Sequence, residues 1–413
     1  MHCNKNILIL GAGEGQVPLI QRAKNAGCYA LVVSPNGKYP GFAWADECVY
    51  ADISDAERML EIAKEKQIHA IATDQTDVSI SSVQYVAQTL NLPCIQCENI
   101  DHFRYKSLMR EVCQQSGIPT IQYCTTSNLN EAIEFFSTKV NDSAILKPVD
   151  SQGSRGVTVV QSVEELQSAF ALAQKYSKSN RIIIEQFIDG QEIEVDSVIK
   201  DGKILASLIG DVYAFKSLKT YSSYERIYPT QMFEPDEQIE IERTNEKIIK
   251  VLGLSTGWTH AEYIVSKKGE IYLLEVGARG GGNFVGSDIL KCMFNIGSDE
   301  MALETSLGNT SFYDKIVSTQ KCCACKSFYL PEGCIESINI NEQFISQSFV
   351  LRHNLFDLQI GRKTGKNTDK TSRYTIVVEA ASAAELRRIL DEIPAQIDIR
   401  VKTENEIQSI IWK

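Results

Sequence analysis

The stretch His260-Ala261-Glu262-Tyr263-Ile264-Val265-Ser266-Lys267-Lys268-Gly269-Glu270-Ile271-Tyr272-Leu273-Leu274-Glu275-Val276-Gly277-Ala278-Arg279-Gly280-Gly281-Gly282 reads as two strands joined by a tight Lys-Lys-Gly turn and followed by a glycine-rich exit. Glu262 and Glu275 lie thirteen residues apart (275 − 262) across that turn, a spacing that lets them face each other on neighbouring strands. Facing carboxylates repel unless a cation sits between them, and a magnesium ion bridging phosphates takes one or two such ligands. Glu275 follows the apolar run 271–274, so partial burial is expected, and a metal or Arg279 is expected to compensate its charge. The planar guanidinium of Arg279, four residues on, suits a phosphoryl group, and the three glycines permit close backbone approach. The plainer reading is an ordinary hairpin with an internal salt bridge.

Upstream, Lys147-Pro148-Val149-Asp150-Ser151-Gln152-Gly153-Ser154-Arg155-Gly156-Val157 sets a lysine at a strand end before a loop of glycines and serines. Backbone N–H groups of such a loop can wrap phosphates, although the Gly-Lys-Ser/Thr ending of a P-loop is missing. Ile184-Glu185-Gln186-Phe187-Ile188-Asp189-Gly190-Gln191-Glu192 brings two acids to either side of a turn. A carboxylate there can accept both ribose hydroxyls, and extended backbone at 185–188 can pair with a purine edge. Each segment alone is equally well read as a mobile hairpin or as surface glutamates near a turn.

Residues 5–100 alternate short apolar runs (7–10, 30–33, 70–72) with helical patterns near 17–26, 56–66 and 82–90, the rhythm of a parallel sheet flanked by helices. The turn Gly11-Ala12-Gly13-Glu14-Gly15-Gln16 fails the dinucleotide fingerprint: Gln16 stands where the third glycine belongs, and Ser34-Pro35-Asn36 replaces the ribose acid. Residues 103–118 read as one helix stopped by Gly117-Ile118-Pro119. Strands at 144–147, 157–160, 182–186, 191–199 and 203–210, with a helix at 163–176, make an α+β region with a largely antiparallel sheet. The tail closes strand–helix–strand (374–379, 383–393, 398–401) and reads as a small separate lobe.

The chain has 413 residues, 53 acidic against 42 basic, and a net charge of −11 without long runs, so no footprint for a nucleic-acid backbone exists. No stretch reaches the apolar length of a membrane span and the opening lacks a signal-peptide core, so a cytoplasmic enzyme is expected. The twelve cysteines read as reduced and mostly buried; Cys94/Cys97 with Cys322/Cys325 would make a zinc site only if the fold joined the two pairs.

In order and spacing these segments resemble the ATP-grasp superfamily over roughly residues 5–320, most closely its L-amino acid ligase and carbamoyl-phosphate-synthase-like group. The resemblance implies an α/β and α+β fold with an N-terminal parallel domain (1–100), a lid region (101–187), a central antiparallel domain with the metal site (188–324) and a small C-terminal lobe (325–413). It implies ATP contacts from Lys106, Lys147, Ser151, Gly153, Ser154, Arg155, Gly156, Glu185, Gln186, Phe187, Ile188 and Glu192. Glu262 and Glu275 would bind Mg2+ or Mn2+, and Arg279 would be catalytic. The implied reaction joins a small-molecule carboxylate to an amine through an acyl phosphate, releasing ADP and phosphate, in a homodimer that engages neither nucleic acid nor membrane. Polar aromatics and cations at 213–232, Arg226 and Tyr228 among them, are expected to line the substrate pocket. Gly277 departs from the family, many of whose members carry Asn there, which leaves the number of magnesium ions open. Other chemistry of the superfamily (a purine-pathway ligase or bicarbonate-activating carboxylase) and a nucleotide-binding protein without catalysis stay open.

Overall fold

The computed structural model describes residues 5–140, 142–150, 156–215, 222–365 and 372–413. Strands Glu47–Tyr50, Tyr29–Ser34, Asn6–Leu10 and Ala70–Ala72 form, in that order, a parallel four-stranded sheet. Its apolar runs are buried on both faces (Ile7, Leu8, Ile9 and Leu10 are all 0% exposed), which is why they read as continuous rather than alternating. The loop after Ala70–Ala72 carries Asp74 and Asp77 towards the centre of the molecule.

A second four-stranded sheet, ordered Tyr123–Thr126, Ile182–Gln186, Ala144–Pro148, Thr158–Val160, is antiparallel and covered by helices Leu129–Lys139 and Val163–Tyr176. Asn128 and Ser162 cap those helices by accepting the N–H of Asn130 and Glu165. The apolar residues of both helices and of this sheet close one core of their own. This is the lid sheet below.

The helix expected over 103–118 is split. A 3-10 turn spans Ile100–Phe103, Tyr105 is extended (φ −100°, ψ 116°), and the α-helix runs only from Lys106 to Gln115. The break makes Lys106 the first helical residue. A cation is disfavoured at a helix N-terminus, so this lysine needs a carboxylate partner.

The largest sheet has nine strands. Eight run in the order Ile271–Gly277, Leu254–Ser266, Gly190–Lys200, Lys203–Ala214, Ser223–Tyr228, Cys322–Phe328, Tyr374–Ala380, Val350–His353, and Gln96–Cys97 pairs with Leu254–Ser266. Every pairing in it is antiparallel. The tail therefore does not stand apart: Cys322–Phe328, Tyr374–Ala380 and Val350–His353 extend the central sheet. It keeps a core of its own, built on Phe328, Ile376, Leu386, Leu390 and Ile399, beneath a small sheet containing Gly333–Ile340 and Ile397–Lys402. Sequence patterning reveals this local core but not the long-range pairing of Ser223–Tyr228 with Cys322–Phe328. Residues 94–97 lie at one side of the central sheet and Cys322–Phe328 four strands beyond Leu254–Ser266, roughly 19 Å at the usual strand spacing, so the two cysteine pairs make no shared zinc site. The described cysteines are free thiols.

Candidate active site

The hairpin forms as its sequence indicates: Leu254–Ser266 pairs with Ile271–Gly277, and Glu262 stands opposite Glu275. Gly190–Lys200 on the other side sets Glu194 opposite Glu262 and Asp196 opposite His260. Three carboxylates thus line up across three strands, on one face of the sheet. The alternation Glu192-Ile193-Glu194-Val195-Asp196 carried that signal, and reading Glu192 alone missed it.

Glu275 is compensated differently from the expectation. Lys106 Nζ lies 2.5 Å from its Oε2, so the first residue of the helix supplies the cation. Burial opposes the Lys106 charge, but Glu275 beside it raises the lysine's pKa above its ordinary value. Arg279 instead grips Asp77, with Nε donating to Oδ1 at 2.7 Å and Nη2 to Oδ2 at 2.9 Å, while Nη1 donates to the Gly280 carbonyl at 3.0 Å. This two-pronged pair joins the N-terminal parallel sheet's loop to the central sheet. It also accounts for Gly277: a Cβ there would meet Asp77 Oδ1 at 2.6 Å, so the carboxylate of Asp77 fills the space a longer side chain would need.

Next to it, buried Asp74 accepts from Gly280 N–H (3.0 Å) and Ser298 Oγ (2.6 Å), and burial pushes its carboxyl up to about 6. A Cβ on Gly280 would meet Ser298 Oγ at 2.1 Å, which explains one glycine of the triplet. Asn283 and Phe284 then take positive φ values (57° and 67°), an uncommon conformation for two consecutive non-glycine residues. Such strain concentrates at functional sites, and both residues line the cavity described below.

On the same sheet, His260 is buried with Nδ1 3.0 Å from Asp196 and Nε2 3.8 Å from Glu194. Burial opposes its protonation, but these two carboxylates raise its pKa above the ordinary value. Glu194 also receives Arg226 Nη2 at 2.8 Å and the Tyr228 hydroxyl. Ligand atoms of Glu194, His260 and Glu262 all lie within 4.8 Å of one another.

The lid side holds a second cluster. Glu185, fully enclosed, accepts from Arg110 Nε at 2.8 Å and lies 2.8 Å from Lys147 Nζ. Burial would raise its pKa, but the two cations overcome it and hold the carboxyl at about 2. Arg110 also donates Nη2 to the Leu274 carbonyl at 2.9 Å, one residue before Glu275, and so ties the lid sheet to the hairpin.

A cavity of about 1300 Å3 opens over the hairpin and is lined by Glu262, Glu275, Arg279, Asp77, His260 and Arg226, with further walls from the N-terminal sheet's loops and the tail. A smaller one of about 320 Å3 beside Lys106 shares Asp77, Glu275 and Arg279 with it. The fold therefore gathers Lys106, Glu262, Glu275 and Arg279 around common space. Lys147, Glu185, Gln186, Phe187, Ile188 and Glu192 are on neither wall: Lys147 and Glu185 hold each other in the lid sheet, and Phe187 is exposed. Gly156 begins the described chain after the loop, and Ser151, Gly153, Ser154 and Arg155 lie outside the described residues, as do Lys216, Lys219 and Tyr221. Of the segment expected to line the substrate pocket, Arg226 lines the cavity and Tyr228 is buried against Glu194.

Residues 140–288 match the model of the ATP-grasp domain. The chain carries an ATP-grasp domain. Over 181 residues it is 28% identical to a D-alanine–D-alanine ligase of Lactococcus lactis, covering 42% of this chain and 51% of that one, so it spans about half the length of that relative. The ATP-grasp fold extends further. An L-amino acid ligase from Bacillus licheniformis superposes with a TM-score of 0.80 at 21% identity, over 98% of this chain and 100% of that one. A phosphoribosylglycinamide synthetase from Anaerococcus prevotii gives 0.75 at 21% identity, over 97% and 100%. Among the described residues, no helix is long and apolar enough to cross a membrane.

The donors of the hairpin fit a hard divalent cation. Glu262 and Glu275 offer opposed carboxylates that are 16% and 28% exposed towards the cavity, and Lys106 now occupies one of them. Asp77 escaped the sequence reading because its relation to the hairpin, across 202 residues, is made by the fold.

Proposed function

We propose that this chain is an ATP-dependent carboxylate–amine ligase: a substrate carboxylate attacks the γ-phosphate of ATP, ADP leaves, and an amine displaces phosphate from the acyl phosphate to form an amide. What carries the reading is the meeting of Glu262 and Glu275 across one hairpin with Arg279 beside them on the same cavity wall. Phosphoryl transfer depends on positioning and charge neutralisation more than on a protein base. Glu262 and Glu275 would hold Mg2+ or Mn2+, which when bound neutralises charge on the nucleotide phosphates. Arg279 has three N–H groups engaged by Asp77 and Gly280, which leaves two of its five for a transferring phosphoryl group. Lys106, held against Glu275, is set to follow phosphate charge once a metal takes that carboxylate. Lys147, Gly156, the loop at 151–155, residues 185–188 and Glu192 are assigned to the nucleotide on the strength of the superfamily pattern.

The substrate side is read as an amino acid, because the cavity combines apolar and cationic walls with room well beyond a single small carboxylate. The experiment is a screen for ADP and inorganic phosphate release over single and paired amino acids with Mg-ATP. Stoichiometric ADP, phosphate and an amide product are expected. Tight Mg-ATP binding with no release for any pair overturns the ligase reading, and a carbamate or nucleotide-containing product moves it to other chemistry of the superfamily.

A further inference from the structure

The tail wall of the large cavity carries a cation that the reaction above leaves unused. Arg373, 6% exposed, precedes the strand Tyr374–Ala380 and lines the cavity. Its Nη1 donates to the Ser222 hydroxyl (2.9 Å) and the Ser223 carbonyl (3.2 Å), both neutral, and its Nε has no partner. Among the described residues no carboxylate pairs with it. Burial first, and then the charge of Arg226, depress its pKa to about 10, against a smaller opposing pull from Glu194. Arg226 in turn gives one nitrogen to Glu194 and leaves its Nε unpartnered. Every other buried arginine described above has a carboxylate.

Two more polar groups on this wall are unsatisfied. Asn283 Oδ1 accepts from Thr375 Oγ1 at 2.8 Å, and its Nδ2 has no partner among the described residues. Ser372 Oγ is enclosed and has no partner among the described residues either. All four residues line the one cavity. Arg226 stands opposite Cys325, Cys325 stands opposite Val377, and its thiol reaches the Asn283 carbonyl at 3.5 Å. Buried donors left without acceptors are rare and costly, and a buried guanidinium with no carboxylate partner is costlier still. One oxyanion removes both costs.

We infer that Arg373, with Arg226, Asn283 and Ser372, forms an anion subsite that seats a second negatively charged group of the substrate, a carboxylate or a phosphoryl group, away from the reacting carboxylate. Arg226 stands between the hairpin and the tail: it pairs with Glu194, which lies opposite Glu262, and its strand partner Cys325 pairs in turn with Tyr374–Ala380. The substrate therefore spans from Arg279 to Arg373, with its reactive group at the hairpin and its fixed charge at the tail. For an amino acid serving as the amine, that charge is its own carboxylate. This deepens the ligase reading and rests on it for the words "substrate" and "reacting", while the subsite itself is tested by binding alone.

The full chain, loaded with Mg2+ and ADP, is titrated with free amino acids and their carboxamides, and with O-phosphoethanolamine and ribose 5-phosphate against ethanolamine and ribose. Thermal shift and calorimetry read the binding. At least one anionic probe is expected to bind while its neutral counterpart binds at least about tenfold more weakly, the loss expected for a charge-assisted hydrogen bond. Preference for the amino-acid or the phosphate arm identifies the oxyanion. Arg373→Gln lowers the affinity for that probe by about tenfold or more with the Kd for Mg-ADP unchanged, and Arg373→Lys, which keeps the charge, recovers part of it. Asn283→Asp provides a second, isosteric variant: it keeps the acceptor for Thr375, turns the donor into an anion, and weakens the probe at least as much. Equal binding of acid and amide, wild-type affinity in Arg373→Gln and Asn283→Asp, or no binding by any anionic probe overturns the subsite. Anion binding lost in these variants, with no ADP release by any substrate, keeps the subsite and removes the ligase reading.

Discussion

Two charged clusters flank the junction of the lid sheet and the hairpin, and they are built in opposite ways. At the lid base one carboxylate, Glu185, is shared by Arg110 and Lys147, and the side chains are 0%, 1% and 11% exposed. At the hairpin Glu262, Glu275, Glu194 and Asp77 are set among Lys106, Arg279 and Arg226, and all of these but buried Glu194 line the two adjoining cavities. The first cluster has one positive charge in excess and is closed to water. The second has an excess of negative charge and borders a cavity. Under the proposed function, a triphosphate carrying a divalent cation would match that pair of imbalances, phosphates towards the lid and metal towards the hairpin. The difference also separates roles: a sealed ion pair is held because breaking it is costly, whereas an open one can exchange its partner for a ligand.

The largest effect expected breaks the sealed cluster. Glu185→Ala leaves Arg110 and Lys147 buried without their acid, and destabilisation by about 3–5 kcal/mol is expected, read as a lower midpoint in urea with unchanged slope. A midpoint within experimental error of wild type would show that water already reaches the cluster and that the contrast with the hairpin is false. At the hairpin the balance reverses. Glu275→Ala or Arg279→Ala is expected to lower substrate-dependent ADP release by about 10²–10³-fold, while the urea midpoint moves far less than in Glu185→Ala. Near-normal turnover in either variant removes the assigned role.

How far the sequence carried the fold depends on the range of the interaction involved. The strand at 182–186 and the helix at 163–176 form as expected, because alternation, periodicity and caps such as Ser162 are local. The hairpin itself was equally legible, but its turn sets the register only as far as Tyr263–Leu273, and a bulge beyond that pair is what brings Glu262 opposite Glu275. The failures are all long-range. Lys106 replaced Arg279 as the partner of Glu275 because an extended Tyr105 restarts the helix, and nothing in the local pattern marks that break. Asp77 is 202 residues from Arg279, so no spacing rule connects them. The tail reads as separate in the sequence because its own core is local, while its edge-to-edge pairing with Ser223–Tyr228 is set only when the sheet assembles. Gly277 was legible as a departure, and only the fold shows what stands in its place.

Acid sharpens the comparison without mutation. A carboxyl held at about 2 in the folded chain, against 4.5 when free, contributes about 3 kcal/mol of stability at pH values above 4.5, and loses it as the pH falls from 4.5 towards 2. Asp74 has the opposite sign. Its folded value of about 6 lies above the ordinary 3.8, so its contribution is largest below pH 3.8 and declines as the pH rises through 6. Between pH 4.5 and 2, wild type is therefore expected to lose more stability than Glu185→Gln, and between pH 4 and 6 Asp74→Asn should flatten whatever fall in stability accompanies rising pH. Urea midpoints across the range measure both, and parallel curves for wild type and Glu185→Gln would mean that Arg110 and Lys147 do not hold the carboxyl as described.

The smallest effect tests whether the open cluster is ordered from outside the central sheet. Asp77→Asn keeps the shape of the side chain but replaces one acceptor of the Arg279 fork by a donor, and Gly277→Ala pushes a methyl group into the same carboxylate, 2.6 Å from Oδ1. Both changes disturb the arginine without removing it. A fall of about tenfold in kcat/KM is expected for each, the scale of one charge-assisted hydrogen bond, carried by kcat with KM for Mg-ATP little changed. The double variant should lose little more than either single one, because both act through one contact. If the losses instead multiply, Asp77 acts on the site by a second route, as a carboxylate facing the cavity in its own right, and the hairpin cluster has one more working acid than the fork implies.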